Sequence, residues 1–366
     1  MRSQTEWIES LSPWPKDGFG LDRMRALLAG LGDPQLAFPA VHVVGTNGKG
    51  TTTRTIEETL TREGLVVGGY YSPHVTGWSE RIRVGGTEAD FERAVDGVRP
   101  QAMAVGATQF EALTAAALLA FAEVGVDVAA VEAGLGGRHD ATNVLQARVV
   151  VLTNVGLDHT EVLGSTREAI AHEKLAVVKP ESIAVLGEAE WEAIARSQGA
   201  TRVIVEAGGN TALGGVAASA FLGRRVRPAE VELPGRLEFR DGEIRDGAHT
   251  PEAVRFIAPQ LPPIGVAVAS ILADKDADGI LRELGGLTPI LVTTRSSHPR
   301  AMHADALADL ARPHFETVES ADDPVAALAR AHALACPVLI TGSLYLLADL
   351  SRREEEPRRC RNLVNG

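Results

Sequence analysis

Residues 41–55 read VHVVGTNGKGTTTRT, and this stretch decides the fold. An apolar run predicts a β-strand, a loop follows in which Gly45, Gly48 and Gly50 surround Lys49, and threonines then predict the start of a helix. Glycines allow backbone N–H groups to converge on phosphate oxygens, a helix N-terminus adds partial positive charge, and a lysine neutralises the terminal phosphates. The stretch therefore predicts a strand, a phosphate-binding loop and a helix.

The loop departs from the common pattern G-x-x-x-x-G-K-[ST]. Val43 stands at the position of the first glycine, and Gly50 follows the lysine. The alternative interpretation is a glycine-rich turn between a strand and a helix, with an exposed lysine. The concentration of glycines, threonines and one lysine directly after a strand favours phosphate binding.

Apolar, β-branched runs alternate with amphipathic or alanine-rich segments along the chain. The predicted strands are 41–44, 66–71, 126–133 and 148–155. The predicted helices between them cover 50–61, 109–123 and 166–177. This alternation predicts a parallel sheet covered by helices.

A second α/β series follows the proline-containing stretch RPAEVELPGR at 227–236. Its apolar runs are GVAVAS, PILVTT, FETVE and PVLIT. At ~150 residues per domain, a chain of 366 residues accommodates two domains. We therefore predict domains at 1–230 and 231–352, and a disordered tail at 353–366, where no apolar period is visible.

Composition limits the classes of partner and compartment. Lysine and arginine number 36 against 48 acidic residues, a net charge of −12, which disfavours a nucleic-acid or anionic-membrane surface. Two cysteines are too few for a disulfide framework. The start MRSQTEW does not resemble a signal peptide. Glu123 and Asp127 interrupt the most apolar stretch, so it does not have the pattern of a membrane span. We expect a soluble, cytoplasmic protein that binds no nucleic acid and no membrane.

Polar residues follow several predicted strands, where ligands bind in open α/β sheets. Glu132 ends one strand and Asp158-His159 follows the next, while Ser72 lies in a Ser-Pro turn after a third. Carboxylate and hydroxyl oxygens are typical ligands of the magnesium that accompanies nucleotide phosphates. The alternatives are a glutamate that caps the glycine turn, a helix-capping or core histidine, and an ordinary turn serine. Lys174, taken alone, is interpreted as a solvated helix lysine.

The loop G-T-N-G-K-G-[ST] resembles that of the Mur ligase superfamily, and specifically of folylpolyglutamate synthase/dihydrofolate synthase. Further segments resemble this family in the same order, over nearly the whole chain. They are YYSPHVTGWSERIRVGG (70–86), the run TQFEALTAAALLAFAEVGVDVAAVEAGLGGRHDATNVL (108–145), TNVGLDHTEVLGSTREAIAHEKLAVVK (153–179), LPGRLE (233–238), DGAHTP (246–251), ILADKDADGIL (271–281) and TGSLYLLADL (341–350). The resemblance implies an N-terminal Mur-ligase-type phosphate-loop ATPase domain with a mostly parallel sheet, and a smaller C-terminal Rossmann-like α/β domain.

The resemblance also implies residue roles. Catalytic residues would be Lys49, Glu132, His159 and Lys174. Magnesium would bind at a first site that uses Ser72 and Glu132, and at a second site that uses His159, Glu132 and Lys174, the lysine being carbamylated. Nucleotide contacts would be Thr46, Asn47, Gly48, Lys49, Gly50, Thr51, Asn210, Arg236, Asp246 and His249. Contacts with the pterin part of the acceptor would be Thr108, Gln109, Phe110, Glu111, His139, Asp140 and Ala141.

Several of these residues have a structural alternative. Phe110 could instead be a core residue, and Glu111 could be an acidic residue at the start of a helix. Asn210 could form a turn, Arg236 a surface ion pair and Asp246 a helix cap.

The implied reaction is ATP-dependent addition of L-glutamate to dihydropteroate, to the glutamate tail of reduced folates, or to both, through an acyl phosphate. The partners would be these small molecules, and we expect a monomer. Two alternatives stay open: another Mur-type ligase with a different carboxylate acceptor, and an ATP-binding module without ligase activity.

The chain departs from the family pattern at a few positions. The region 180–209 is shorter than its counterpart, so we predict that a peripheral strand pair is missing. Glu206-Ala207 replaces an H-Q pair, Thr250 replaces an asparagine, and His139 stands where leucine is more common. These departures bear on the acceptor and on the preferred length of the polyglutamate chain.

Overall fold

The computed structural model describes residues 3–15, 18–240 and 242–362. The chain divides into two compact units. The N-terminal unit contains the described residues up to 73 and residues 78–231, and the C-terminal unit contains residues 74–77 and those from 232 onward. The division after residue 231 lies directly beside the predicted domain boundary, whereas the assignment of residues 74–77 to the C-terminal unit was not predicted.

The N-terminal unit is built on an eight-stranded sheet in the order β4-β3-β2-β5-β1-β6-β7-β8. Its strands are β1 (Ala40–Val44), β2 (Val67–Tyr70), β3 (Ile82–Val84), β4 (Thr87–Glu88), β5 (Val128–Glu132), β6 (Ala147–Leu152), β7 (Ile183–Leu186) and β8 (Arg202–Val205). Strands β2 and β3, and β3 and β4, pair antiparallel, while all other neighbours are parallel. The sheet is therefore mostly parallel, which confirms the predicted fold class.

Helices cover both faces of this sheet. They are α1 (Gln4–Ser10), α2 (Asp22–Gly30), α3 (Lys49–Arg62), α4 (Phe91–Val105), α5 (Gln109–Val124), α6 (Thr160–Leu163), α7 (Arg167–Leu175), α8 (Glu192–Ser197) and α9 (Asn210–Leu222). All five residues of the central strand β1 are buried. Val41 and Val43 pack in one hydrophobic cluster with residues of α3 and α9, while α2, α4 and α5 contribute to a separate cluster. Because side chains alternate along a strand, His42 of β1 faces away from Val41 and Val43.

The four strands and three helices predicted for this unit are confirmed, with ends that shift by one or a few residues. Strands β3 and β4 were not predicted, because runs of three and two residues are too short to show a period. Residues 180–209 form β7, α8 and β8. The predicted absence of a peripheral strand pair stays a prediction.

The C-terminal unit has a six-stranded sheet in the order β13-β12-β11-β14-β10-β9. Its strands are β9 (Glu238–Arg240), β10 (Glu243–Arg245), β11 (Val266–Ala269), β12 (Ile290–Thr293), β13 (Thr317–Ser320) and β14 (Val338–Thr341). Its helices are α10 (Pro251–Ile257), α11 (Ala277–Gly285), α12 (Ala304–Ala311), α13 (Pro324–Leu334) and α14 (Leu344–Asn362). Only β9 is antiparallel to its neighbour, so this unit is also an α/β domain.

The last helix reaches into the segment predicted to be a disordered tail. Helix α14 continues to Asn362, and residues 363–366 lie outside the described residues. Arginine and glutamate are abundant after residue 351, and both favour a helix even without an apolar face. A missing apolar period therefore did not exclude helical backbone at 353–362.

Among the described residues, none of the helices combines the length and the apolar character that crossing a membrane requires.

Candidate functional site

The phosphate loop, residues 45–48, connects the end of β1 to the start of α3. Gly48 precedes the helix with φ +80°, and the N–H of Thr52 donates to its carbonyl oxygen as an early bond of the helix. The N–H groups of Lys49, Gly50 and Thr51 therefore lie in the first helical turn, where they have no acceptor within the helix. Together with the positive end of the helix dipole, they form a site suited to an anion.

Two glycines of the loop allow close approach of neighbouring segments. A Cβ atom on Gly48 would overlap the side-chain amide of Asn210, and one on Gly45 would overlap the side chain of Thr153. Asn210 begins α9, and its carbonyl oxygen accepts a bond from Thr52 Oγ1 at 3.4 Å. The structure thus brings Asn210, a predicted nucleotide contact, against the phosphate loop.

Two lysines share one carbonyl oxygen of this loop. Lys49 Nζ donates to the carbonyl oxygens of Gly45 and Thr46, at 3.2 and 3.1 Å, and Lys174 Nζ donates to that of Gly45 at 2.8 Å. Lys174 is only 4% exposed, so its interpretation as a solvated helix lysine is wrong. Burial, reinforced by the charge of Lys49, lowers the pKa of Lys174 to about 7. A substantial fraction of its amine is therefore neutral near neutral pH.

The end of β6 holds the phosphate loop in place. The N–H of Asn47 donates to Asn154 Oδ1, and Asn154 Nδ2 donates to the carbonyl oxygen of Asn47, both at 3.0 Å. Thr153 Oγ1 also donates to the carbonyl oxygen of Asn47, at 2.7 Å. The N–H of Thr46 donates to the carbonyl oxygen of Asn154 at 3.0 Å. Neither Thr153 nor Asn154 was singled out from the sequence, where both lie near the end of the strand predicted at 148–155 and the available signal was only their polarity.

Glu132 lies at the end of β5 and faces the start of α3. The carboxylate is 4% exposed, and its Oε2 atom accepts the N–H of Ser72 at 3.1 Å. A Cβ atom on Gly50 would lie 3.6 Å from the same oxygen. Ser72 and Glu132, predicted as one magnesium site, therefore meet beside the phosphate loop and offer the hard oxygen ligands that Mg²⁺ prefers.

His159 begins the short helix α6 in a left-handed conformation, φ +51°. Its ring nitrogens lie 3.7 Å from Asp158 and 4.0 Å from Glu161. Asp158 in turn acts electrostatically on Lys174, which puts this loop within electrostatic reach of the buried amine. Over residues 3–15, 18–240 and 242–362, no group of three or more histidines, cysteines or acids could hold a metal ion. The predicted ligand set is of another kind, because it combines one glutamate and one histidine with a serine and a lysine.

The predicted acceptor segment 108–111 forms the start of α5. Thr108 caps the helix, and Glu111 completes a reciprocal capping box by accepting the N–H of Thr108 at 2.8 Å. Arg23 of α2 also binds Glu111, with Nε 2.7 Å from Oε2. The helix-start interpretation of Glu111 is thus confirmed. Phe110 is half-buried beside the ring of Tyr70, with the two centroids 6.0 Å apart.

The second predicted acceptor segment is held by a buried network. Asp140 Oδ2 accepts the N–H of Leu135 at 2.7 Å, and Oδ1 accepts both the N–H and the hydroxyl of Thr142. His42 Nε2 lies 2.7 Å from that hydroxyl. Burial raises the pKa of Asp140 and lowers the pKa of His42 to about 3. His139 is exposed directly beside this fixed loop.

The C-terminal unit contains the remaining predicted nucleotide contacts. Both carboxylate oxygens of Asp246 accept backbone N–H groups, from Leu237 and Ala248, each at 2.8 Å. Burial raises the pKa of Asp246, and the guanidinium of Arg236 opposes that shift. His249 Nδ1 lies 2.8 Å from the carbonyl oxygen of Gly247. Arg236, Asp246 and His249 therefore form a group around one loop that follows β10.

The sequence is similar to those of known ligases. The Mur ligase middle domain family matches residues 43–213. The chain is 31% identical to the dihydrofolate synthase/folylpolyglutamate synthase of Escherichia coli (strain K12), over 96% of this chain and 94% of that protein. It is also 31% identical to the enzyme of that name from Mycobacterium tuberculosis, over 82% of this chain and 80% of that protein.

Solved structures of enzymes with these names also match the fold of this chain. The structure of E. coli FolC in complex with DHPP and ADP matches with a TM-score of 0.85 and 29% identity, over 98% of this chain and 99% of that one. M. tuberculosis folylpolyglutamate synthase complexed with ADP and AMPPCP matches with a TM-score of 0.86 and 27% identity, over 94% and 96%. The Yersinia pestis bifunctional enzyme with Mn, AMPPNP and L-glutamate bound matches with a TM-score of 0.83 and 27% identity, over 97% and 98%.

Proposed function

Because this chain belongs to the dihydrofolate synthase/folylpolyglutamate synthase family, we propose that it is an ATP-dependent ligase that adds L-glutamate to dihydropteroate, to the glutamate tail of reduced folates, or to both. The observation that carries the proposal is the meeting of three features at one edge of the N-terminal sheet. They are the phosphate loop, the Ser72–Glu132 pair and the buried amine of Lys174.

In this proposal the phosphate loop binds ATP. The N–H groups of Gly48 and of the first turn of α3 donate to phosphate oxygens. Lys49 is held beside them by the carbonyl oxygens of Gly45 and Thr46, and its ammonium neutralises the terminal phosphates. Asn210, which contacts the loop at Gly48, lies where it can reach the nucleotide.

Ser72 and Glu132 would hold the magnesium ion that accompanies ATP, and His159, Glu132 and Lys174 would hold a second one. The ion supplies positive charge that offsets the phosphates during transfer. Each first-site ligand offers oxygen, and the N–H of Ser72 fixes one oxygen of Glu132, so the donor set fits the ion.

The lysine at position 174 would act as a carbamate. Only a neutral amine attacks carbon dioxide, and the lowered pKa of Lys174 supplies that form near neutral pH. The ammonium first loses a proton to water, a C–N bond then forms as the neutral amine attacks, and a second proton leaves the nitrogen for water. The result is an anionic group with two oxygens in place of the cation. This conversion also removes the repulsion between Lys174 and Lys49.

The reaction follows from these positions. An oxygen of the acceptor carboxylate attacks the γ-phosphorus, the bond from that phosphorus to ADP breaks, and an acyl phosphate forms. The α-amine of glutamate then attacks the acyl carbon, the carbon–oxygen bond to phosphate breaks, and a proton leaves the amine. The chain contributes chiefly positioning and charge, which is the dominant contribution to phosphoryl transfer.

The acceptor would lie against Phe110 and His139. The side chains of Thr108, Glu111 and Asp140 are occupied by bonds within the chain, so their part would be to hold Phe110 and His139 in position.

Asp246, a predicted nucleotide contact, would bind its ligand directly. Each of its carboxylate oxygens accepts one N–H group and retains lone pairs that can accept a ribose hydroxyl.

We also propose that the protein acts on these small molecules as a cytoplasmic monomer. The net charge of −12 opposes self-association, which supports a monomer. The presence of only two cysteines supports a reducing compartment. Light scattering during size exclusion measures the oligomeric state directly.

The test is phosphate release from ATP in the presence of glutamate. We expect release with dihydropteroate or a reduced folate, and none when glutamate or the acceptor is omitted, with ADP and a new amide as products. A UDP-linked muramyl acceptor serves as the comparison. Release with that acceptor alone would assign the chain to a different Mur-type ligation, and binding of ATP without release under any condition would refute ligase activity.

A further inference from the structure

We infer that Asn154 is a positioning residue, whose side chain sets the direction of the peptide groups in the phosphate loop and so aims the N–H of Gly48 at the nucleotide. The inference rests on the proposed function, because it takes the loop to bind phosphate. It goes beyond that function by assigning a role to a residue outside the glycine-rich motif.

The carboxamide of Asn154 pairs with both sides of one loop residue. Its Oδ1 atom accepts the N–H of Asn47 and its Nδ2 atom donates to the carbonyl oxygen of Asn47, each at 3.0 Å. The backbone carbonyl of Asn154 accepts the N–H of Thr46 at 3.0 Å. Thr153 Oγ1 adds a fourth bond, at 2.7 Å, to the carbonyl oxygen of Asn47. One short stretch after β6 thus binds three consecutive peptide groups.

The planarity of the peptide bond converts these contacts into directions. In a trans peptide the N–H and C=O groups point opposite ways, and the peptide groups from 45 to 48 are all trans. Because the N–H groups of Thr46 and Asn47 face Asn154, the carbonyl oxygens of Gly45 and Thr46 face away from it. Those two oxygens are the acceptors of Lys49 Nζ, at 3.2 and 3.1 Å.

The same rule determines the next peptide group. The carbonyl oxygen of Asn47 faces Asn154 and Thr153, so the N–H of Gly48 must point away from them. It therefore points to the side of the loop on which Lys49 is held. A loop without the Asn154 carboxamide retains one bond to the carbonyl of Asn47, and loses the bond that orients the peptide between Thr46 and Asn47.

The experiment measures the affinity of the full-length protein for ADP and for AMP by titration calorimetry. Asn154→Leu removes both side-chain bonds at similar volume, and Asn154→Ser retains one hydroxyl. We expect the dissociation constant of ADP to rise roughly tenfold in Asn154→Leu and about threefold in Asn154→Ser, as for the loss of two and one neutral hydrogen bonds. The dissociation constant of AMP should stay unchanged, because AMP has no β-phosphate to occupy the loop.

Asn143→Leu is the matched control. Asn143 also lies between two strands, in a 3₁₀ turn at Ala141–Val144. Its carboxamide also makes two bonds, to the carbonyl oxygen of Arg138 at 2.8 Å and from Lys179 Nζ at 2.7 Å. It should leave the affinity for ADP unchanged.

A folded Asn154→Leu protein that binds ADP as tightly as the wild type would overturn the inference, as would equal losses of affinity for ADP and AMP. If Asn154→Leu does not fold, the affinities of Asn154→Ser for ADP and AMP test the inference in the same way. Failure of the wild-type protein to bind ADP would instead refute the proposed function, and the inference with it.

Discussion

Replacement of Lys174 by methionine should stabilise the ligand-free protein at low pH and abolish its activity. The side chain is 4% exposed, and burial lowers its pKa from 10.5 to about 7. At about 1.4 kcal/mol per pKa unit, the buried charge costs on the order of 5 kcal/mol at a pH below both values. Methionine removes that cost and also loses the bond to the carbonyl oxygen of Gly45, worth about 2 kcal/mol to a charged donor. The expected net gain at pH 6 is about 3 kcal/mol.

The size of this stabilisation depends on pH in a defined way. Below pH 7 the lysine is protonated in both the folded and the unfolded chain, so the folded state carries the whole cost. Between pH 7 and 10.5 only the unfolded chain is protonated, so the stability of the wild type rises with pH across this window. The advantage of Lys174→Met should therefore shrink to near zero by about pH 9.5.

The assay is urea denaturation of the ligand-free proteins at pH 6 and pH 9.5, in buffer freed of carbon dioxide and divalent metal. Lys179→Met is the comparison, because Lys179 is only half-buried and donates to Asn143 Oδ1 instead of the phosphate loop. Burial also lowers the pKa of Lys179, so its variant should show a pH dependence of the same sign but smaller size. A free-energy difference between Lys174→Met and wild type that is equal at both pH values would refute the lowered pKa. Turnover by Lys174→Met or Lys174→Arg at the wild-type rate would remove the carbamate from the proposed mechanism.

Further substitutions test other parts of the site. Lys49→Ala should abolish turnover while changing the free energy of unfolding by less than about 1 kcal/mol, and turnover at the wild-type rate would contradict the proposed phosphate loop. Gly48→Ala should weaken ADP binding at least tenfold, since a left-handed alanine costs about 1 kcal/mol and its Cβ overlaps Asn210; unchanged affinity in calorimetry would show that the loop tolerates a side chain. Asp140→Asn turns an amide toward the N–H of Leu135 or Thr142, so we expect a loss of about 1–3 kcal/mol in stability and a higher KM for the acceptor but not for ATP. A rise in both KM values would mean that the acceptor loop is not the part affected.

The elements that position the site could be predicted because their signals are local. The buried strand β1, the glycines at 45 and 48 and the helix start at Lys49 all lie within one short run of sequence. The capping box of α5 is equally local, since a threonine followed three residues later by glutamate is a recognised helix start.

The contacts that hold the site could not be predicted, because they join residues far apart in the chain. Asn47 and Asn154 are 107 positions apart, and His42 and Thr142 are 100 apart. Nothing local distinguishes Asn154 from any polar residue that ends a strand. The burial of Lys174 has the same origin, because the adjacent Glu173 is typical of an exposed helix face and only the packed structure reveals where the amine lies.

The composition of the C-terminal unit has a consequence for biosynthesis. Val75, 4% exposed, belongs to a hydrophobic cluster with Val266, Val338 and Leu347, although the chain supplies it long before the others. During translation at the usual rate, roughly ten to fifty seconds pass before the ribosome delivers those partners. Val75 must remain uncovered for that period, and a fragment that starts at residue 232 can never bury it. The C-terminal half of this protein therefore cannot be exchanged or expressed from the 231/232 boundary without leaving its core incomplete.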